Sequence, residues 1–503
     1  MFKLNAKKIF CILVMISILT VAFLAVSCGE NSESNADRDR NNPANGDIAG
    51  QDGDSEQIED SKYNVPDDLG EFNFNGGTFT VLAREGWRLD TEDQVGEILN
   101  DAQYLRNRNV EERFNFKLKE ILIETYDVAD VSRRSILAGD GTYDIMLIRG
   151  PTAYQYASEG MLRPMTDLPY VNFDKPYWDE WLTAQFTIAN RIFFAAGVFD
   201  IYNYGAAAML FNKPLAQNLG IEDIYTVVRE GKWTFDKFAE LGKMAMRDLN
   251  GDSIITAEDQ HAYLGVTRGI QPSFWIAGGA KTISFDDDNL PYLSALEDRF
   301  LNVWFKMSDI LVTQGLWFHN VPNPDEHTPE NHAFLDNIFK EGRSLFMSGG
   351  IGSAQHFRDM DIDFGIIPYP KYDEQQEHYY SQIAWIEPVS IPSYVDDDDI
   401  ERTSIILEAL ASESYKLVTP VYIDVVLRTK YTRDDESEEM LDIIFANRVF
   451  DWGDAIWTPL LRDGIFPALF PRGWDTVQSR LERAERNINR EIDRMVDAFM
   501  DLD

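Results

Sequence analysis

Short apolar segments alternate with amphipathic ones in the first part of the folded chain. TFTVLA, FKLKEILI and YDIMLI have the length and apolar content of strands. Between them, VGEILNDAQYLRNRNVEERF and DVADVSRRSILAG repeat apolar residues at helical spacing. This order predicts an α/β fold with parallel-type sheets flanked by helices. In such sheets ligands bind beyond the carboxyl ends of the strands, here residues 84–87 and 149–154.

Strand and helix patterns continue to about residue 339, and the strand candidates SLFMSGG and DFGIIPYP follow. From Ile400 onward the pattern is mainly helical. In the last helix the apolar residues from Val477 to Phe499 recur at helical spacing, so we expect this face to pack in the core.

The chain opens with a signal-like segment. Lysines precede an apolar run from Ile9 to Val26, and Cys28 follows small residues, as in bacterial lipoproteins. Residues 1–28 are predicted to be a lipoprotein signal peptide with a lipidated Cys28; an uncleaved membrane anchor is the alternative. Residues 29–64 are predicted to form a disordered acidic linker. Both alternatives tether the chain on the extracellular face of the cytoplasmic membrane, as in Gram-positive lipoproteins.

Composition argues against several classes of function. The net charge of −39 at pH 7 argues against a nucleic-acid partner, because nucleic acid requires a basic surface. The only cysteines are Cys11 and Cys28, so the mature domain has no disulfide and no thiol nucleophile. P-loop, HExxH and GxSxG motifs are absent, and 85 acidic residues make any carboxylate pair uninformative. No positive signal for an enzyme remains.

The segment DLNGDSIITAED, residues 248–259, has the ligand spacing of an EF-hand-type calcium loop. Its oxygen donors are the side chains of Asp248, Asn250, Asp252, Thr256 and Asp259 and the carbonyl of Ile254. Ser253 stands where glycine is usual, and no second loop is found. We expect a structural Ca²⁺ here; a solvated turn is the alternative.

Tryptophans near glycine, proline or polar residues favour a sugar ligand. An aromatic ring packs on the apolar face of a pyranose while neighbouring polar groups bind its hydroxyls. The tryptophans in question are Trp87, Trp275, Trp317, Trp385, Trp452, Trp457 and Trp474. Core packing accounts for any single one, but as a group they favour a sugar-binding cleft.

The order of several motifs resembles that of the extracellular solute-binding proteins of carbohydrate ABC importers, the family that includes maltose-binding protein. TYDIMLIRGP resembles the family's third strand and ligand loop, and GMLRPMTDL its G-x-L-x-P-L-x-D segment. AMLFNKPLAQNLG resembles the YNK-x-L-x-x-x-G crossover, and GKWTFDKFAELGK the P-x-T-W-D-E-F helix start. IFKEGRSLFMSGG resembles F-x-x-G-K-x-A-M-x-x-x-G, with Arg343 in place of the usual lysine.

This resemblance implies a two-lobed periplasmic-binding-protein-like fold (type II) with a solute between the lobes. We expect the first lobe to comprise residues 65–205 with a return segment at about 345–380. The second lobe would comprise residues 206–344, completed by a mainly helical part at 381–503.

The resemblance also implies a set of ligand-binding residues. Position within its motifs points to Arg149, Gly150, Trp275, Ser348 and Gly349. Aromatic or polar character at predicted strand ends adds Trp87, Asp200, Tyr204, Trp385 and Trp457.

The sequence therefore favours a monomeric, non-enzymatic receptor that captures a carbohydrate, in our expectation an oligosaccharide, for ABC permease subunits. Two alternatives stay open. One is a surface glycan-acting enzyme with a calcium-stabilised fold, and the other is an importer receptor for a peptide or another non-sugar solute.

Overall fold

A computed structural model of the chain describes residues 62–85, 89, 91, 93–166, 168–196, 205–322, 328–357, 360–383, 386–423 and 435–500. Within these ranges no helix combines the length and the apolar character needed to cross a membrane. The signal peptide, Cys28 and nearly all of the predicted linker lie outside the described residues.

Strands and helices alternate along most of the described chain. The strands are β1 (Gly77–Arg84), β2 (Phe116–Ile123), β3 (Ile145–Leu147), β4 (Phe194–Ala195), β5 (Ala207–Asn212), β6 (His261–Leu264), β7 (Ile283–Phe285), β8 (Pro291–Leu293), β9 (Trp317–Phe318), β10 (Ser344–Gly350), β11 (Phe364–Ile367), β12 (Ser381–Gln382), β13 (Val389–Ser390) and β14 (Arg448–Val449). The α-helices are α1 (Ile98–Phe114), α2 (Val128–Ala138), α3 (Gly150–Ser158), α4 (Glu180–Phe186), α5 (Lys213–Asn218), α6 (Ile224–Arg229), α7 (Phe235–Ala245), α8 (Thr267–Ala277), α9 (Asp298–Ser308), α10 (Pro329–Lys340), α11 (Asp397–Pro420), α12 (Asp435–Ala446), α13 (Trp452–Ala455) and α14 (Val477–Met500).

The first sheet, with the helices packed on it, is the first lobe. Its strand order is β2-β1-β3-β13-β4. β1 runs parallel to β2 and β3, whereas β13 is antiparallel to β3 and β4. Val81 and Leu82, adjacent in β1, are fully buried in separate apolar clusters, because successive strand residues point to opposite faces. A sheet buried on both faces needs the nearly continuous apolar strands that the sequence shows.

The second sheet, with its helices, is the second lobe. Its strand order is β11-β5-β10-β6-β9. β10 is parallel to β6, and β6 to β9, whereas β5 is antiparallel to β10 and β11. The predicted α/β fold with two lobes is confirmed, although each sheet mixes parallel and antiparallel pairs.

The assignment of later segments to the lobes differs from the sequence prediction. The return segment at about 345–380 was expected in the first lobe, but β10 and β11 pair with β5 in the second sheet. The part at 381–503, expected to complete the second lobe, is divided. β13 belongs to the first sheet and α11 packs along α1, whereas α12 packs on β11.

Hydrogen bonds to a buried carboxylate fix α11 on the first lobe. Glu408 of α11 accepts from Trp178 Nε1 at 2.7 Å and from the backbone N–H of Asn172 at 3.1 Å. Burial raises the pKa of Glu408, and these donors oppose the rise. Because an unpaired buried carboxylate is costly, the register of α11 against the first lobe is strongly specified.

α10 begins with a proline. Pro329 occupies the first turn of α10, where its missing N–H has no intrahelical partner to lose. Thr328 caps the helix by accepting a hydrogen bond from the N–H of Asn331 at 3.2 Å. His332 therefore has a fixed position on a helix.

Candidate functional site

A cavity of about 440 Å³, the main cavity, opens at strand ends of the second sheet. Ala207 at the start of β5, Gly265 after β6 and residues 347–350 at the end of β10 line it. Arg84, the last residue of β1, reaches it from the first lobe. The cavity thus lies between the lobes, at the edge where ligands bind in α/β folds.

A smaller cavity of about 160 Å³, the side cavity, adjoins the main one. The start of α3, from Arg149 to Thr152, forms one wall, and Ile386, Phe450 and Ala455 face it. Arg462 lines both cavities. The two cavities therefore share a guanidinium group.

Close backbone approach shapes the main cavity at Gly265. A Cβ atom at this position would lie 2.5 Å from Ile270 Cγ2 and 2.7 Å from Ser348 Cβ, closer than real carbon contacts. Only glycine lets the chain turn from β6 into α8 this close to the end of β10.

A buried carboxylate stands beside the arginines of the first lobe. Arg84 Nε pairs with Oε1 of Glu387, a side chain only 5% exposed. Burial raises the pKa of Glu387, and Arg84 and Arg149 oppose that rise. Burial lowers the pKa of Arg149; Glu387 opposes this, and the positive charges of Arg84 and Arg462 add to it. The guanidinium groups of Arg84 and Arg462 are therefore near enough to affect the pKa of Arg149.

The arginines of the other wall are held by two aspartates. Arg268 Nε donates to Asp463 Oδ1 at 2.9 Å, and its Nη2 pairs with Oδ2. Arg462 Nε donates to the same Oδ1 at 3.0 Å, and its Nη1 lies 3.6 Å from Asp454 Oδ1. One carboxylate thus orients two guanidinium groups at the cavity wall.

Asp454 is the buried end of this network. It is fully buried, and burial raises its pKa to about 7 although Arg462 opposes the rise. Gln382 Nε2 donates to its Oδ2, and Gln382 Oε1 accepts from the hydroxyl of Ser273 at 2.8 Å. Both ends of the Gln382 amide are therefore engaged within the protein.

A third wall carries histidine and aspartate from α10 and the turn after β10. His356 Nδ1 lies 3.7 Å from Asp336 Oδ2, and both line the main cavity with His332. Burial raises the pKa of Asp336, which His356 and Lys340 oppose. Burial lowers the pKa of His332.

Four predicted ligand residues lie at the cavities. Ser348 and Gly349 line the main cavity, and Arg149 and Gly150 line the side cavity. Ser348 also exchanges a hydrogen bond of 2.7 Å with the hydroxyl of Tyr369, which fixes its orientation. The structure brings these residues together between the lobes; their role in binding stays a prediction.

Two predicted tryptophans lie elsewhere. Trp275 is fully buried in α8 among Phe300, Trp304 and Phe466, and its Nε1 donates to Asp451 at 3.0 Å. Trp457 is half-buried against Tyr154 and Trp452. Neither lines the main or the side cavity. Trp87, Asp200, Tyr204 and Trp385 lie outside the described residues.

Sequence reasoning missed the polar residues that line the cavities from the later part of the chain. Arg268 and Arg462 carry the positive charge of one wall, and Gln382 and Glu387 support the walls from the segment between the lobes. No local motif marks them: Gln382 ends the short strand β12, Arg268 lies at the start of α8, and Glu387 and Arg462 lie outside strands and α-helices. The one sequence signal is the position of Arg268 close to a helix start.

Carboxylate oxygens of the calcium-type loop accept hydrogen bonds from backbone N–H groups of the same loop. Asp248 accepts from the N–H groups of Gly251 at 2.6 Å and Ser253 at 2.7 Å, and Asp259 accepts from Leu249 at 2.9 Å. Ser253 has a φ of +69°, the left-handed conformation that glycine usually supplies. Carboxylate and amide oxygens are suitable donors for Ca²⁺. Among the described residues, however, no three acidic or histidine side chains stand close enough to hold a metal.

One comparison with known proteins identifies a family. The family model described as bacterial extracellular solute-binding protein matches residues 124–400. No curated protein matches the chain by sequence.

Solved structures share the fold at low identity. The ABC substrate-binding protein Lmo0181 from Listeria monocytogenes, in complex with cycloalternan, has a TM-score of 0.52 and 13% identity, covering 83% of this chain and 99% of its own. A cyclo/maltodextrin-binding protein complexed with maltotetraose has a TM-score of 0.55 and 12% identity, covering 85% and 98%. UgpB from Mycobacterium tuberculosis, in complex with glycerophosphocholine, has a TM-score of 0.52 and 16% identity, covering 84% and 99%.

Proposed function

The chain belongs to the bacterial extracellular solute-binding proteins, and from this premise we propose that it is the carbohydrate receptor of an ABC importer. It would bind an oligosaccharide between its lobes and deliver it to permease subunits. Structures that share its fold include binding proteins solved with cycloalternan and with maltotetraose.

The main cavity is the observation that carries this proposal. At about 440 Å³ it has the size of small-molecule sites in proteins. Residues of both lobes line it, so a bound solute would hold the lobes together. Closure around the solute is how such a receptor would signal occupancy to the permease.

Calorimetric titration of the purified protein with neutral and acidic oligosaccharides and with short peptides tests the proposal. We expect saturable binding of one glycan class and no change in that glycan when it is recovered. Cleaved glycan would support the surface enzyme instead, and binding of peptides alone would support the non-sugar receptor.

A blocking variant ties binding to the main cavity. Ser353 lines it, and tyrosine there should fill part of the space and abolish binding. Ser479→Tyr, at a partly exposed position of α14, adds the same side chain away from the cavity and should bind like the unaltered protein. Equal binding by both variants would place the solute elsewhere.

Two further proposals concern anchoring and calcium. The lipoprotein-like segment supports attachment of Cys28 to the membrane, which would keep the receptor near its permease. The oxygen donors of residues 248–259 support a structural Ca²⁺ in the second lobe. Asp248, Asn250, Asp252, Ile254, Thr256 and Asp259 would hold the ion, whose charge would bind the loop's carboxylates together.

A further inference from the structure

We propose that the solute carries an anionic group, a carboxylate or a phosphate on a sugar, and that Arg84, Arg268 and Arg462 bind it in the main cavity. This inference rests on the proposed function, sugar capture between the lobes, and narrows its substrate class.

The charge of the main cavity runs against that of the whole chain. The chain has a net charge of −39. Yet among the described residues that line the main cavity, Arg84, Arg268 and Arg462 carry guanidinium groups and one residue, Asp336, carries a carboxylate. Arg149 adds a fourth guanidinium group in the adjoining side cavity. Glu387, Asp454 and Asp463 pair with Arg84, Arg268 and Arg462 from outside the described lining, so the charged groups that face the main cavity are mainly positive and attract ligands of the opposite sign.

None of the carboxylates paired with these arginines is among the described residues that line the main cavity. Glu387 and Asp454 are buried and the side chain of Asp463 is 28% exposed, whereas those of Arg84, Arg268 and Arg462 are 23%, 37% and 7% exposed. Carboxylates that hold a guanidinium fork from behind fix its orientation, so little side-chain entropy is lost when a second anion binds. The ion pairs thus hold the guanidinium groups in fixed orientations in which they can bind an anion.

The guanidinium groups of the wall suit an anion better than a neutral sugar. Hydroxyl groups need acceptors as well as donors, but guanidinium groups only donate. The Gln382 amide is engaged with Ser273 and Asp454. Among the described residues that line the cavity, Phe357 supplies the sole phenyl ring and no indole is present.

The start of α8 adds to the positive potential. Gly265, Val266 and Gly269 line the main cavity, and α8 begins after Val266 without a side-chain cap. The N–H groups of a first helical turn carry partial positive charge and favour anions. This helix start lies on the same wall as Arg268, so both contributions act on one region of the cavity.

Matched pairs of probes test the inference by calorimetry. Trigalacturonate is compared with its methyl ester, and glucose 6-phosphate with glucose, on the full-length protein in detergent. The acidic member of one pair should bind at least tenfold more tightly than its neutral partner, and the pair that responds identifies carboxylate or phosphate. Affinity for the acidic probe should fall as salt is raised.

Paired variants connect the preference to the arginines. Arg268→Met should weaken binding of the acidic probe about tenfold or more, because charge-assisted hydrogen bonds are lost. Arg229→Met is the control: Arg229 is paired with Glu439, its side chain is 33% exposed, and it lies outside both cavities. It should bind the acidic probe like the unaltered protein. Thermal unfolding checks that both variants are folded.

The outcomes separate this inference from the proposed function. Equal affinity for acidic and neutral members, or equal effects of the two variants, would overturn the inference and leave sugar capture intact. Binding of no sugar in this set or in the wider oligosaccharide panel would overturn both. Preference for an acidic sugar that Arg268→Met removes and Arg229→Met retains would establish it.

Discussion

Single residues determine how closely the strand ends of the second lobe approach the cavity. Gly265 allows β6 and β10 to meet at Ser348, and Gln382, Glu387 and Asp454 hold the cavity polar groups in place. Gly265 and Gln382 line the main cavity themselves, whereas Glu387 and Asp454 are buried beside it and orient the arginines that line it. Substitutions among them should therefore affect stability as well as affinity.

Gly265→Ala should lower the free energy of unfolding by about 1–3 kcal/mol, the usual cost of overpacking. The added methyl group would overlap Ile270 and Ser348. Gly269→Ala, whose nearest new contact is Val266 Cγ2 at 3.8 Å, should be neutral or stabilising because alanine favours the helix. Urea unfolding of the two variants checks this, and equal stabilities would contradict it.

Asp454→Asn should change how stability depends on pH. Burial raises the pKa of Asp454 to about 7, whereas an unfolded aspartate titrates near its ordinary value of 3.8. The folded protein therefore binds the extra proton, and this contribution to stability is lost as pH rises from about 4 to about 7.

The asparagine variant has no such proton, so its stability relative to the unaltered protein should improve between pH 4.5 and pH 8. Melting temperatures at both values measure the difference. A difference that stays constant with pH would show that Asp454 ionises normally in the folded protein.

At the scale of elements, the charged residues of the candidate site lie at the ends of strands and the starts of helices. Arg84 ends β1, Arg149 precedes α3 and Arg268 lies in the first turn of α8. The calcium-type loop is a separate element: it lies between α7 and β6 of the second lobe, and neither cavity includes it. Calcium there should stabilise the lobe without changing the binding site.

EDTA should lower the melting temperature by several degrees while leaving glycan affinity little changed. An ion present at about 100 times its Kd adds about 2.7 kcal/mol to the folded state. Asp252→Asn should reduce the calcium effect, whereas Asp287→Asn, an equal charge change in another acidic turn, should not. If EDTA lowered glycan affinity without lowering the melting temperature, calcium would regulate binding and not stabilise the lobe.

On the scale of the whole molecule, the chain passes repeatedly between the lobes. It leaves the first sheet after β4 for β5, returns between β11 and β13, and passes again between α11 and α12. Several crossing segments beside a shared cavity are the arrangement in which lobes close by hinge motion.

Binding of the identified glycan should decrease the radius of gyration measured by solution X-ray scattering, since residues of both lobes line the main cavity. The Ser353→Tyr variant, with its cavity blocked, should show no decrease on addition of the same glycan. An unchanged radius for the unaltered protein at saturation would mean that capture proceeds without closure.

Local sequence determined the types of most elements and the fold class. Apolar runs with alternating or helical spacing specify β1, β2, β3, α1, α2 and α14, because burial of one face or both depends on residue spacing alone. Motif order indicated the family that the family model then showed. It also pointed to Arg149, Gly150, Ser348 and Gly349, which follow or end strands of the two sheets and line the side cavity and the main cavity.

Only the tertiary structure decided which strands share a sheet and which side chains share a cavity. β10 and β11 join the second sheet through pairing with β5, more than a hundred residues away, and no local pattern encodes that choice. Arg84, Arg268 and Arg462 converge for the same reason. Trp275, an apparent ligand platform in sequence, is buried because α8 turns that face to the core. The spacing of apolar residues determines which side chains share one face of a helix or strand. Long-range packing determines which other elements that face contacts.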